Sequence, residues 1–282
     1  MGFGAAHAES GSGQQEAGLQ TQYETLAVVR PEERLLVVML NRPERSNALN
    51  TQMGRDLLAV FSGLYVDSGG IRCIVLTGSG NKAFCAGGDL KQRHEMSNQD
   101  WQQQHAVFEQ HTLAMLDCPI PILAAVNGAA YGGGLEMVLC ADFIYAARSA
   151  RFALTETSLG IMPGAAGTQN LPRACGVRRA KEIIFTAEPF TAQQAFEWGI
   201  VNKICDDKAL MTDTLATARK IAANAPLAVR QAKKAIGMAA GLDLKSGYAF
   251  EIEAYNRLVP TRDRLEGVRA FNEKRKPDFK GE

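Results

Sequence analysis

Two glutamates stand where acid–base chemistry could be done. The first, Glu136, closes the run Val126-Asn-Gly-Ala-Ala-Tyr-Gly-Gly-Gly-Leu-Glu136, in which an apolar strand meets three glycines and then an apolar helix. Glycines there let a ligand approach the backbone, and the free N–H groups of a helix start attract negative charge. A plain turn, with a first-turn Glu favouring the helix dipole, fits the same residues. The second, Glu156, lies in Phe152-Ala-Leu-Thr-Glu-Thr157 amid Leu154, Leu159, Ile161 and Met162. It is either a surface residue between strand ends or a partly desolvated acid, and a second carboxylate nearby would raise its pKa further. Pro163-Gly164 then opens a glycine-rich turn into another helix start.

A further glycine loop, Ala83-Phe-Cys-Ala-Gly-Gly-Asp-Leu-Lys91, follows the apolar run Cys73–Thr77. It again presents backbone amides at a strand-to-helix junction, with Asp89 placed to cap the helix. Upstream, Gly78-Ser-Gly-Asn-Lys-Ala83 imitates a dinucleotide fingerprint. Gly87-Gly88 would break the helix that such a fingerprint must open, so no nicotinamide or flavin site is expected. No phosphate-binding P-loop occurs either. His7, His94, His105 and His111 include no i, i+4 pair, and the six cysteines include no C-x-x-C pair. Neither metal nor separate cofactor is therefore expected, and the thiols read as small apolar residues of a reduced protein.

These loops need a rigid frame. Leu35–Leu40, Cys73–Thr77, Ile122–Val126 and Phe143–Ala146 are continuous apolar runs, the pattern of strands buried on both faces in a parallel sheet. Thr51–Leu64 and Asp100–Leu116 have helical spacing between them, giving an α/β class. After Phe190 the chain reads as helices at 191–198, 208–224, 227–240 and 244–258, apart from a short apolar run at Ile200–Ile204. The expected division is a tail at 1–24, an α/β core at 25–200 and a helical region at 201–282. The tail carries neither the basic start and apolar stretch of a signal peptide nor the arginines of a mitochondrial presequence, so a cytoplasmic protein is expected. With 31 basic and 30 acidic side chains in 282 residues, no global field draws in nucleic acid or membrane. No apolar run approaches the roughly 18 residues that span a bilayer.

Taken together, the loops at 83–91 and 126–136, the turn at 160–168, the opening Leu40-Asn-Arg-Pro-Glu44 and Asn47-Ala-Leu-Asn50, and the closing Phe271-Asn-Glu-Lys-Arg-Lys276 resemble the crotonase (enoyl-CoA hydratase/isomerase) superfamily. The resemblance implies a crotonase-like spiral of ββα units with a helical C-terminal trimerisation region, assembled as a homotrimer or as a hexamer made of two trimers. It implies an acyl-CoA thioester substrate whose carbonyl sits in an oxyanion hole made by the amides of Gly88 and Gly133. Glu136 would activate a water and Glu156 would supply the proton at C2. The resemblance implies that Gly164 directs its N–H toward the water or acyl group. Arg45 and Ala48 match the adenine-side contact and Ala86 the pantetheine contact, with Asp89 and Leu90 beside it. Phe271 and Lys274, from an adjacent subunit, would hold the nucleotide end.

Coenzyme A carries several phosphates, and 214–242 holds Arg219, Lys220, Arg230, Lys233 and Lys234 with no acid. A phosphate-facing surface and a solvated helical face both fit that block. The stretches 152–157, 180–187 and 260–267 look closest to the methylglutaconyl-CoA hydratase branch, which serves leucine breakdown. RNA binding through a lysine-rich early helix is known in that branch. The matching stretch here, Thr51–Ser68, has Arg55 as its only basic residue, so no nucleic-acid partner is expected.

Overall fold

The continuous apolar runs become strands because a segment hydrophobic on both faces is satisfied only between two covering layers. The structure, a computed structural model, describes residues 22–282, so all but three residues of the expected tail lie outside the described residues. The strands are β1 (Leu26–Glu32), β2 (Leu35–Leu40), β3 (Cys73–Gly78), β4 (Ala83–Cys85), β5 (Ile122–Val126), β6 (Ala129–Tyr131), β7 (Phe143–Ala147), β8 (Arg151–Ala153), β9 (Phe190–Thr191) and β10 (Lys203–Cys205). The helices are α1 (Thr51–Val66), α2 (Leu90–His94), α3 (Asn98–Leu116), α4 (Gly133–Leu139), α5 (Gly167–Cys175), α6 (Val177–Thr186), α7 (Ala192–Glu197), α8 (Leu210–Ala222), α9 (Pro226–Ala239), α10 (Leu244–Asn256) and α11 (Arg262–Asn272). Short 3₁₀ turns occupy Pro43–Arg45 and Glu156–Leu159.

Two sheets result. The larger has the order β1-β2-β3-β5-β7-β10, parallel from β2 onward, with β1 antiparallel at the edge. The smaller has the order β4-β6-β8-β9, with β4, β6 and β8 parallel and β9 antiparallel. Each of β3, β5 and β7 passes through a short connection into β4, β6 or β8, so three successive units step from one sheet to the other. This is the ββα spiral that the resemblance implies. The run Ile200–Ile204 contributes to β10, which pairs with β7, so the larger sheet continues past the expected boundary at 200.

Helices α1 and α3 pack on each other, while α8 lies against β3, β5 and β7. Asn50 caps α1 through the Met53 N–H, and Ser97 forms a capping box with Asp100 at α3. Helices α9, α10 and α11 leave Ile236, Leu244, Tyr255, Val268 and Phe271 exposed. Among the described residues no helix is long and apolar enough to cross a membrane.

One buried polar group in α3 has no partner. His111 is 1 % exposed and neither ring nitrogen has a hydrogen bond, with Phe108 edge-on at 5.7 Å. Burial lowers its pKa to about 4, so the folded imidazole is neutral. A group with a depressed basic pKa costs stability as pH falls, because the unfolded chain gains the proton near 6.5 and the folded chain does not. His111→Leu should therefore stabilise the protein by about 1 kcal/mol, more at pH 5 than at pH 8. Urea unfolding at the two pH values measures this, and equal or lower stability at pH 5 would contradict it.

Candidate active site

The three loops singled out by their glycines and acids all leave the same end of neighbouring parallel strands. After β4 comes Ala86-Gly-Gly-Asp89, after β6 comes Gly132-Gly133, and after β8 comes Leu154-Thr-Glu156. Cross-links hold them in register. Leu49 receives the Asp89 N–H at its carbonyl and gives its own N–H to the Gly87 carbonyl, a parallel bridge centred on Gly88. That pairing turns the Gly88 N–H away from Leu49, and it meets no acceptor among the described residues. Gly133 opens α4, so its N–H has no partner within the helix. The Gly132 N–H donates to the Ala153 carbonyl at 2.9 Å, tying the second loop to the third strand.

Two of these glycines are required by conformation. Gly87 and Gly132 have φ of +94° and +51°, and a Cβ on Gly87 would lie 2.8 Å from the Tyr131 carbonyl oxygen. Together the loops line a cavity of about 630 Å³, within the usual range for a small-molecule site. Its wall contains Ala86, Gly88, Leu90, Gly133, Glu136, Glu156 and Gly164, so these expected residues come together.

Both glutamates are buried, Glu136 at 3 % exposure and Glu156 at 8 %, which rules out the surface reading of Glu156. Their surroundings differ. Glu136 Oε1 accepts from the amides of Ala165 at 2.7 Å and Gly167 at 2.9 Å, at the N-terminus of α5. Burial still raises its pKa, but those amides and the positive helix end favour the anion. Glu156 has no such cradle, and its Oε2 finds no protein partner. Burial first, and the neighbouring Glu136 charge second, raise it to about 7. One carboxylate thus has two amides that favour its anion against the burial that raises its pKa, beside a carboxyl with no such donors that is pushed up to about 7, an inequality of the kind that acid–base pairs use.

Other expected contacts fall elsewhere. The Asp89 carboxylate is taken up by Arg42, at 3.0 Å to each of two nitrogens, and by capping α2, so it positions the loop and does not face the cavity. The amide turn after Pro163 serves Glu136 directly. Gly164 lines the wall where a Cβ would meet His105 Cε1 at 2.7 Å. Arg45, Ala48, Phe271 and Lys274 lie outside the cavity wall. So does the basic block at 214–242, where Arg219 pairs with Glu32 at 2.7 Å and Lys233 with Asp142 at 2.8 Å. The cysteines near the loops are no nucleophiles, since burial pushes the Cys85 thiol up to about 11 and Cys140 to about 12.

One side of the site was not anticipated from the sequence. Helix α3 turns Trp101, His105, Phe108 and Glu109 to the cavity, and α2 adds Arg93. The spacing Trp101, His105, Phe108 at i, i+4, i+7 was the available signal, masked by the surrounding glutamines. His105 Nε2 lies 3.5 Å from Glu109 Oε1. Arg93 is half-buried, and burial lowers its pKa while Glu156 and Glu136 offset that shift.

Comparison with known proteins finds the same fold and a single family. A sequence profile of the family described as enoyl-CoA hydratase/isomerase matches residues 30–282. YngF of Bacillus subtilis is 45% identical over 250 residues, covering 88% of this chain and 95% of that protein. The human mitochondrial methylglutaconyl-CoA hydratase is 38% identical over 256 residues, covering 89% of this chain and 75% of that protein. The crystal structure of enoyl-CoA hydratase from Bacillus anthracis superposes with a TM-score of 0.90 at 40% identity, covering 92% of this chain and 100% of that one.

Proposed function

The chain belongs to the enoyl-CoA hydratase/isomerase family, and we propose that it adds water across the C2=C3 bond of an enoyl-CoA thioester. The observation that carries this reading is the unequal glutamate pair on one cavity wall with the unpartnered amides of Gly88 and Gly133. Ionised Glu136 takes a proton from water as its oxygen bonds to C3. The double-bond electrons move toward the thioester, whose oxygen gathers negative charge between the two amides. Each such donor is worth about 3 kcal/mol of transition-state stabilisation. Protonated Glu156 then gives its proton to C2. A proton passes from Glu136 back to Glu156 to restore the starting pair. A double-bond isomerase of the same family would need one group to move a proton, whereas hydration uses an acid and a base together.

The acyl group is proposed to be short, with 3-methylglutaconyl as the leading choice. Three stretches that look like the methylglutaconyl-CoA hydratase branch, and the human relative of that name, support it. Assembly is proposed as a trimer or a pair of trimers through the apolar side chains that α9–α11 expose. A hydration assay over a panel of enoyl-CoA thioesters, read by loss of the conjugated thioester absorbance, tests the reading. No hydration of any member would refute it, and a kcat/KM for 3-methylglutaconyl-CoA far below that for crotonyl-CoA would refute the choice of acyl group.

The pH response follows from Glu156. It acts as an acid only while protonated, so kcat/KM for hydration should fall as pH rises through about 7. Stability has the same direction. The unfolded chain loses this proton near 4.5 and the folded chain near 7, so the native state binds more protons between those values. Stability from this group therefore declines across that window. Glu156→Gln should remove that decline in thermal unfolding, and an unchanged slope would show that Glu156 ionises normally.

A further inference from the structure

Arg93 is a cation held in place with no carboxylate in ion-pair contact among the described residues. Its Nε donates to Gln104 Oε1 at 2.9 Å, and Gln104 is 2 % exposed. The Gln104 amide is itself fixed, donating to Thr51 Oγ1 at 2.8 Å and to Gln92 Oε1 at 2.9 Å. The guanidinium lies over the Trp101 ring at 4.3 Å and the Phe108 ring at 5.5 Å. Stacking, one buried amide and a half-buried stem leave the side chain little freedom. Yet Nη1 and Nη2 donate to no protein acceptor among the described residues, and no carboxylate lies within 4.0 Å of them. The position is on the cavity wall, with Nη1 only 3.1 Å from where a Cβ on Gly88 would stand. A preorganised planar fork with free donors is matched by one common acyl substituent, a carboxylate, which it can take with two parallel hydrogen bonds.

We propose that Arg93 determines specificity by gripping a carboxylate at the far end of the acyl group, so that the preferred substrates are CoA half-thioesters of short unsaturated dicarboxylic acids. This rests on the acyl-CoA reading of the cavity and gives its choice of acyl group a residue. Shortness follows from position. The guanidinium flanks the glycine whose amide faces the thioester oxygen, and a long chain would carry its terminal carboxylate past it. Arg93 is not a salt-bridge partner of the catalytic pair, since it lies beyond ion-pair distance of both glutamates, so its free donors are open to the ligand.

Saturated thioesters separate this inference from the hydration reading, because they bind and cannot be hydrated. Calorimetric titration with glutaryl-CoA and butyryl-CoA should show that the wild-type protein prefers the diacid by about 10- to 100-fold, the range of a hydrogen bond to a charged group. In Arg93→Gln the ratio of the two affinities should fall to about one. In Arg93→Lys, which keeps the charge and loses the fork, it should be intermediate. A wild-type ratio near one, or a ratio unchanged in Arg93→Gln, would overturn the proposal. So would a wild-type preference that Arg93→Lys leaves intact, since the fork would then be irrelevant. Failure to hydrate crotonyl-CoA would count against the hydratase reading alone.

Discussion

Glu136→Gln should lower kcat for hydration of crotonyl-CoA by about a thousandfold, in the middle of the range for losing a positioned general base. The expectation is sharp because the amide can keep the carboxylate's place. Gln Oε1 accepts from the Ala165 and Gly167 amides as Glu136 Oε1 does at 2.7 and 2.9 Å, and only the second atom changes from acceptor to donor. A neutral side chain also relieves the desolvation that raises the Glu136 pKa, so thermal stability at neutral pH should not fall. KM should change little, since the base acts on water and the thioester is held elsewhere. Loss of the Glu136 charge also removes one of the two causes that raise Glu156, so residual activity should show its decline at lower pH than in the wild type. Steady-state kinetics across pH measure all of this. A kcat within tenfold of wild type would remove Glu136 from the role of base.

Gly134→Ala should cost both stability and catalysis, although a methyl group is all it adds. A Cβ at Gly134 would collide with the Cys85 carbonyl oxygen and stand 2.8 Å from Cys85 Cβ, and both belong to β4. Neither strand nor helix can yield locally, so α4 must move off β4, at about 1 to 3 kcal/mol of stability. That movement carries Gly133, one residue before, and Glu136, two residues after. A displacement of about 1 Å in either costs on the order of a hundredfold in kcat. Gly133→Ala is the control for stability. Its Cβ would meet only Leu49 Cδ2 at 3.7 Å, an ordinary contact, so the melting free energy should stay within about 0.5 kcal/mol of wild type. If the two variants melt alike, the close packing of α4 on β4 does not govern the site.

The sequence was legible where burial is two-sided and long enough to leave a pattern. Leu35–Leu40 and Ile122–Val126 appear with the expected bounds because each is a continuous apolar run bounded by turn residues. The smaller sheet was illegible for the opposite reason. Strands of two or three residues such as Ala83–Cys85 and Phe190–Thr191 carry no period, and they exist because neighbouring units place them side by side. Of the site, the glycine loops and both acids were readable, since close approach and desolvated carboxylates leave residue-type signatures. Asp89 was readable as the cap of α2, whereas its ion pair with Arg42 was not, because that partner lies 47 positions away. Arg93 and the aromatic face of α3 were missed because a polar helix reads as solvated until another layer is known to cover it.

On the proposed reading, the three parallel strand ends also separate what would activate the carbonyl from what would supply the proton and choose the acyl group. The amides of Gly88 and Gly133 belong to the first two units and are fixed by backbone pairing to Leu49 and by the start of α4. Glu156 belongs to the third unit, in a 3₁₀ turn after β8, and Arg93 to the helix after the first loop. A change of side chain at either position would leave the backbone amides proposed to hold the thioester untouched. Such a scaffold can trade one acyl-CoA chemistry for another by single substitutions, paying nothing in the machinery that all of them share.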